Sequence, residues 1–519
     1  MKPSLILALD IGTSSVRAAI YDGKGKPVRG MSTKVEWSFT KTPDGGFEIE
    51  AEPAVKQVVS VIDAVLAKAK KMKGEIEHVA ACAFWHSLVG VDEKGKPTTP
   101  VLGWADTRSR KYTDILRMRF DETEVHNRTG ARFHSSYWPA KLLWLQKERS
   151  ENFARTARWL SFSDHVLSRL IDRDSIPIEQ VCWWTEDESV QFTGFKPAYD
   201  WERGLAFTSV SMASGTGLFN IRTCEWDDEL IGFLKLGPDN LPQTIRRDHH
   251  SFCFSSRYRR RWKQLKDAEI YPAIGDGAAD NIGAGCVSTG RAALMVGTSG
   301  AMRVAYKGES PRKIPAGLFC YRIDRERVVI GGALSDGGNL YRYLRANLDI
   351  PKNAEDEMRR RGAAAHGLTV LPFFHGERST GYDENATGAV IGLAATHDSI
   401  DILQASMEAV AYRFAEIYDQ LHSITKVKEL VASGGALRDS PVWTQIVADV
   451  LGRDLTINNA PESSMRGAVL LALESLGKIE SIDGLPAPTD ALLEHHSQCH
   501  AAYKPARKQH QNLYLKTHK

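Results

Sequence analysis

The sequence has 519 residues, 42% hydrophobic and 25% charged, which excludes a disordered, collagenous or disulfide-scaffold chain. Lys and Arg total 67 against 64 Asp and Glu, a net charge of +3. So even a balance makes no electrostatic case for a nucleic-acid or membrane partner. The length implies two domains of about 250 residues each.

The first elements follow from pattern. Residues 5–22, LILALDIGTSSVRAAIYD, read as a β-hairpin: a buried strand, a Gly12-Thr13-Ser14 turn and a return strand. The leading apolar run ends at Asp10, too short for a signal-peptide core. No apolar run reaches the roughly 20 residues of a membrane span. Val55, Val58, Val59, Ile62, Val65 and Leu66 recur at helical spacing, from near Pro53 to a Lys-rich end. A strand is expected at HVAACAF, a hairpin within SLVGVDEKGKPTTPVLGW and a helix at 141–147. Strands mixed with covering helices make the chain α/β.

Residues 171–210 hold Trp183, Trp184 and Trp201 but no period, and read as a packed surface excursion in preference to a lid. The basic stretch RRDHHSFCFSSRYRRRWKQLKD marks an expected domain boundary near residue 250. Its Arg-rich part reads as a solvated helix face in preference to a nucleic-acid contact. The expected division is 1–252, 253–490 and a polar tail, 491–519. Long helices are expected at 400–422 and 440–451. HHSQCH (495–500) resembles a metal-binding tract, but no second ligand group lies near it in sequence, so a mobile tail is the preferred reading. The seven cysteines (Cys82, Cys182, Cys224, Cys253, Cys286, Cys320 and Cys499) are widely spaced, with no CxxC pair, as suits a reducing cytoplasm.

The strongest organisational signal is a repeat. Residues 292–308, AALMVGTSGAMRVAYKG, restate the first hairpin, and Gly297-Thr298-Ser299 matches Gly12-Thr13-Ser14 at an offset of 285 residues. A duplicated domain core is the reading. Turns rich in Gly and hydroxyl groups offer N–H and O–H donors to a polyphosphate. Asp10, just before the first turn, would repel phosphate unless a divalent cation such as Mg²⁺ lay between. In AIGDGAADNIGAG (273–285), Asp276 could take a proton from a substrate hydroxyl, as the catalytic base does in phosphoryl transfer. A helix N-cap is the alternative for Asp276, and Asp280 is the rival carboxylate.

With these motifs in hand, the chain resembles the FGGY carbohydrate kinases of the sugar kinase, Hsp70 and actin superfamily, over about residues 5–480. LALDIGTSSVRAAIYD is similar to the family's first phosphate motif, IGDGAADNIGAG to the motif with its catalytic Asp, and MVGTSGAMRV to its second phosphate motif. GAVIGLAATHDSIDILQASMEAVA (388–411) resembles the C-terminal signature, and ELVASGGALRDSPVWTQIVADVLG the adenosine motif. The resemblance implies two RNase H-like (actin-like ATPase) domains with a catalytic cleft between them, and ATP and Mg²⁺ as cofactors. By motif, Asp10 would position Mg²⁺ and Asp276 would be the general base. Thr13, with Ser14 and Ser15, and Gly297, Thr298 and Ser299 would face the phosphates. Gly434, Gly435 and Ala436 would pack on the adenosine. Asp439 falls where many members have Asn near the adenine.

The sugar side is expected in the first domain. His86 and Ser87 follow a strand, where relatives place a sugar-binding pair. Trp104, Asp106 and Arg108 alternate in GWADTR, so an extended segment would turn all three to one face. The plainer alternatives are core packing for Trp104 and an ion pair for Asp106 with Arg108. Tyr137 and Gly277 complete the expected substrate set with Asp276. WHSLVGVDEKGKPTTPVLGWADTRS, RTGARFHSSYWPAKLLWL and MASGTGLFN resemble the gluconokinase-like branch. Gluconate would need cations or donors, with His86, Arg108, His134 and Tyr137 as candidates. His134 could equally be a core histidine. Pro139 sits one place from its usual position before Lys141, and 171–210 looks inserted; both bear on substrate identity. Three functions fit the resemblance: phosphorylation of gluconate to 6-phosphogluconate, a xylulokinase-like or other pentulose or polyol kinase, and a non-catalytic sugar-binding regulator. The expected partners are a small sugar or sugar acid and ATP, with a homodimer left open.

Overall fold

The computed structural model describes residues 4–171, 206–245, 252–458, 462–485, 489 and 491–518. The stretch expected as an excursion at 171–210 lies mostly outside the described residues.

Two sheets share one plan. In the first, β1 (Ser4–Ile11) and β2 (Ser15–Asp22) form an antiparallel hairpin closing at Ile11 opposite Val16, and β3 (Pro27–Glu36) continues the meander. On the other side of β1 lies β4 (Glu75–Ala83), parallel, with Asp10 beside Cys82. Then comes β5 (Ile274–Gly275), parallel to β4, with Ile274 beside Cys82. In the second sheet, β6 (Arg291–Val296) and β7 (Gly300–Lys307) form the hairpin, closing at Val296 opposite Gly300. Strands β8 (Phe319–Arg322) and β9 (Arg327–Leu334) extend it antiparallel beyond β7, with β9 innermost. Parallel to β6 runs β10 (Glu429–Ser433), followed by β11 (Leu455–Ile457) and β12 (Ala491–Leu493). Each hairpin therefore has an antiparallel neighbour on one side and a parallel one on the other, as the sequence repeat implies. β1 and β6 are buried over nearly their whole length because helices cover both faces of each sheet, which is why they read as continuous apolar runs.

Helix α1 (Ala51–Ala69) lays its valine and isoleucine face on β2 and β3. Helix α2 (Trp138–Glu148) starts with Pro139 at its first turn, where the missing N–H is harmless. Helix α3 (Asp276–Gly283) leads from β5. In the second half, α4 (Gly338–Asn347), α5 (Ser399–Thr425), the short α6 (Gly435–Asp439) and α7 (Pro441–Leu451) surround the sheet. Helix α8 (Ser463–Ser475) packs on α3, β4 and β1. At this crossing only glycine fits. A Cβ on Gly467 would lie 1.8 Å from the Ala279 carbonyl oxygen, and one on Gly283 1.8 Å from that of Ser463.

Two organisational expectations are corrected. The boundary expected at 252 falls inside the first sheet, because Phe252–Cys253, Glu269–Ile270 and β5 all belong to it. The chain leaves that layer only after α3, and α8 returns to it, burying Met465, Val469 and Leu470 against it. The basic stretch is a surface helix over part of its length: Arg257, Arg259 and Arg260 are exposed while Tyr258 and Trp262 are buried. The tail is likewise structured. Residues 491–493 pair with β11, and α9 (Ser497–Thr517) packs on α7 and α5 with Tyr503 and His510 buried. Its buried side chains are aromatic and polar, so no apolar period announces it.

Candidate active site

β1, β4 and β5 are parallel and in register, so their C-terminal ends open on the same edge of the sheet. That edge, beyond the carboxyl ends of parallel strands, is where α/β folds collect ligands. Three chemistry-bearing segments meet there: Asp10 at the end of β1, Trp85 and His86 after β4, and Asp276 after β5.

Asp10 is buried, accepts a bond from the Cys82 thiol at 3.6 Å and has Arg17 at 3.5 Å. Burial pushes its pKa up to about 7; Arg17 opposes this, and the negative charge of Asp276 adds to it. Two carboxyls that repel each other at one edge of the sheet suit a site for a cation. Asp276 is the first residue of α3, with Gly275 as the cap, so the N-cap alternative is not realised. One Asp276 oxygen accepts the Gly277 N–H at 2.7 Å. Part of Asp276 remains open, but lost solvation raises its carboxyl above the ordinary range, against the pull of Arg303. Asp280, the rival, faces Arg303 at 3.6 Å.

The two Gly-Thr-Ser turns close the hairpins as expected. Thr13 and Ser14 reach outward, whereas Ser15 is buried in β2 opposite Glu36. In the second turn, the Gly297 and Thr298 carbonyls accept the Gly338 and Asn339 N–H groups, each at 2.9 Å. The Arg342 guanidinium lies 3.4 Å from the Thr298 hydroxyl. Gly434 meets the end of β6 so closely that a Cβ would lie 2.3 Å from the Val296 carbonyl oxygen, and its φ of 106° is open only to glycine. Ala436 comes within 3.1 Å of a Cβ placed on Gly338. The second Gly-Thr-Ser turn, the start of α4 and the 434–436 segment thus form one wall. Asp439 is exposed at the end of α6.

The sugar-side residues divide. His86 sits in the left-handed region at φ 68°, with its carbonyl held by the Lys141 ammonium at 2.8 Å. Its Nδ1 lies 2.5 Å from the Gly215 carbonyl, which can only accept, so Nδ1 carries the proton. Burial holds the ring neutral, well below the usual imidazole pKa, and Arg378 acts the same way. Nε2 is therefore an acceptor, and the Arg378 guanidinium donates to it at 3.3 Å. Arg378 also lies over the Trp104 ring at 5.6 Å. Tyr137 stands edge-on to His86 at 4.9 Å and shares a 2.6 Å hydroxyl contact with Tyr321. Gly277 packs against Trp85 and Arg303. Burial lowers Lys141 to about 7, and His134, buried beside Glu384, to about 4.

The shared face expected for Trp104, Asp106 and Arg108 is not formed. Residues 104–110 are turns, and the Arg108 N–H and guanidinium both fold back on Asp106. Arg108 bonds Glu48 at 2.5 Å and Asp106 at 2.6 Å, and Asp106 also accepts the Phe47 N–H. This is the ion-pair alternative, completed by Glu48, a partner 60 residues away in sequence. Ser87 is buried and its hydroxyl accepts the Phe162 N–H at 3.0 Å, so it braces the wall behind His86.

The N-terminal domain model of the FGGY family of carbohydrate kinases matches residues 5–183, and the C-terminal domain model matches residues 292–476. This chain belongs to the FGGY family of carbohydrate kinases. It is accordingly an enzyme, a sugar phosphotransferase, and ATP is the donor that the sugar kinases of this family use. A gluconokinase from Bacillus subtilis (strain 168) is 25% identical over 500 residues, covering 93% of this chain and 90% of that protein. The structure of a ligand-bound xylulose kinase from Lactobacillus acidophilus superimposes with a TM-score of 0.85 at 24% identity, covering 99% of this chain and 98% of the other. That of a gluconate kinase from the same organism gives 0.83 at 24% identity, with the same coverage. These likenesses establish the two-domain actin-like ATPase fold.

FGGY motifs account for Asp10, Asp276 and both turns, but not for Arg378, Tyr321 or Arg303. Arg378 lies in HGERSTGYDENATG, a polar, Gly-containing stretch between two apolar segments. Such loops often carry function. Nothing local indicates that it crosses to His86, 292 residues away in sequence.

Proposed function

We propose that this FGGY kinase transfers the γ-phosphoryl group of ATP to a hydroxyl of an open-chain sugar acid, most specifically gluconate to 6-phosphogluconate. The observation that carries the acid is Arg378. It is half-buried, borders Trp104 and His86, and has no ion pair to a carboxylate among the described residues. An enclosed guanidinium without a carboxylate suits a substrate that brings one, and its planar fork matches that group. Arg108, expected for this task, is already engaged by Glu48 and Asp106. A neutral pentulose would leave Arg378 without a counter-charge. The similarity to the Bacillus subtilis gluconokinase supports the same reading.

Asp276 takes the proton as the sugar oxygen attacks the γ-phosphorus in line. The new O–P bond forms, the bond to the β-phosphate oxygen breaks, and ADP leaves. Asp10 would hold Mg²⁺, directly or through water, and the chemistry so supplied would be neutralisation of phosphate charge. The Thr13–Ser14 and Gly297–Ser299 turns face those phosphates, Arg342 stands beside the second turn, and Gly434, Gly435 and Ala436 receive the adenosine. Closure over the sugar would limit ATP hydrolysis by water.

An ADP-release screen over gluconate, xylulose, ribulose, glycerol and erythritol tests the substrate. The highest kcat/KM is expected for gluconate. A preference for xylulose or a polyol would overturn the acid assignment while leaving the kinase in place.

A further inference from the structure

The C-terminal HHSQCH tract plays no part in the reaction above, yet the fold gives it the ligand group missing from its sequence neighbourhood. His496 caps α9, and Cys499 lies one turn further on, at the i, i+3 spacing that stacks side chains on one helix face. Both face Asp449, on the last turn of α7, 47 residues before His496 in sequence. One ligand atom from each of the three lies within 4.8 Å of the others.

The carboxylate is oriented. Asp449 is 4% exposed, and its Oδ1 accepts the His496 N–H at 2.7 Å and the Gln445 amide at 2.8 Å. Oδ2 is left toward His496 Nδ1 at 3.3 Å. Flanking groups hold the frame: His500 Nδ1 lies 2.9 Å from the Asp449 carbonyl oxygen, and His495 Nδ1 lies 2.7 Å from Asp454. The His496 side chain is 62% exposed, so the cluster opens to solvent on that side.

Oxygen, nitrogen and sulfur donors set the chemistry. A tetrahedral zinc ion takes N and O ligands at about 2.0–2.2 Å and thiolate at about 2.3 Å, so its ligand atoms lie roughly 3.3–3.8 Å apart. The present donors, within 4.8 Å of one another, would close by at most about 1–1.5 Å to reach that spacing. A thiolate with an imidazole selects zinc-class ions over Mg²⁺, so this site would not compete for the nucleotide's cation. We infer that Asp449, His496 and Cys499 bind one thiophilic divalent cation of the zinc class, with water completing the coordination. Binding displaces the Cys499 thiol proton to solvent and forms a metal–sulfur bond with no change of oxidation state. The ion bridges α7 to α9 and fastens the C-terminal helix to the second domain.

The test uses the full chain, stripped of metal and titrated with Co²⁺ without nucleotide. One equivalent should bind, with a near-ultraviolet sulfur-to-cobalt charge-transfer band that Zn²⁺ then abolishes. Cys499→Ser, close to isosteric, should lose the band, and His496→Ala should weaken Co²⁺ binding about tenfold or more. Zn²⁺ should raise the melting temperature of the parent protein but not of Cys499→Ser, whose Mg·ATP-dependent activity should equal the parent's. No band in the parent, or a band that survives in Cys499→Ser and so reports another cysteine such as the exposed Cys253, would overturn the site.

Discussion

Replacing Arg378 with methionine removes the guanidinium and keeps a long side chain beside Trp104 and His86. A charge-assisted hydrogen bond contributes about 1.5–3 kcal/mol. At about 1.4 kcal/mol per tenfold, the loss in kcat/KM for gluconate should be about 10- to 150-fold. The partly enclosed setting favours the larger end, because solvent screens a half-buried charge less than an exposed one. Arg378 also contributes to the field at Asp276, so any substrate could lose some turnover. The diagnostic is therefore the ratio of kcat/KM for gluconate to that for a neutral ketose in the same preparation, read by coupled ADP release. The ratio should fall by about tenfold or more, mostly through KM. Arg108→Met provides the contrast. It strips Glu48 and Asp106 of their shared cation, so it should lower stability by about 3–5 kcal/mol without singling out the acid. Equal losses on acid and neutral sugar in Arg378→Met would refute the assignment of Arg378 to the carboxylate.

Asp276→Asn should keep gluconate binding by calorimetry but reduce turnover by about 100- to 10,000-fold, and near-normal turnover would remove Asp276 as the base. Burial raises the Asp276 pKa, and a base acts only when deprotonated, so kcat/KM should fall as pH drops through that raised value and level off above it. A profile with its acid limb no higher than ordinary aspartate, about 3.9, would show that Asp276 is solvated in the working enzyme. Gly467→Ala should push α8 from α3 and lower stability by about 1–3 kcal/mol, seen as an earlier urea midpoint; an unchanged midpoint would contradict the glycine contact. Tyr514 donates to Glu377 at 2.7 Å, next to Arg378, so Tyr514→Phe should raise KM for gluconate more than it lowers kcat. A fall in kcat alone would assign Tyr514 no part in placing Arg378.

Local chemistry made much of this enzyme legible. The hairpins and long helices of both cores have periods that a short window detects, and the Gly-Thr-Ser repeat implied duplication before any contact was known. Asp10 and Asp276 could be singled out because each sits where an apolar strand ends beside small residues. What failed shares one cause: it depended on partners distant in sequence. Arg108 was a reasonable choice until Glu48 claimed it, and Ser87 until Phe162 did. Residues 253–283 looked like the start of a second domain because polarity marks surface, not which sheet a strand joins.

The sequence alone determined the α/β class, the duplicated hairpins, their Gly-Thr-Ser turns and the placing of Asp10 and Asp276 at strand ends, since these rest on periodicity, turn chemistry and strand ends. Only the tertiary structure decided that Arg108 is paired with Glu48 and Asp106 while Arg378 crosses to His86 and Trp104, and that Asp449 faces His496 and Cys499. Charge pairing and ligand convergence are properties of distance in space, and the chain sets that distance only after both cores have packed.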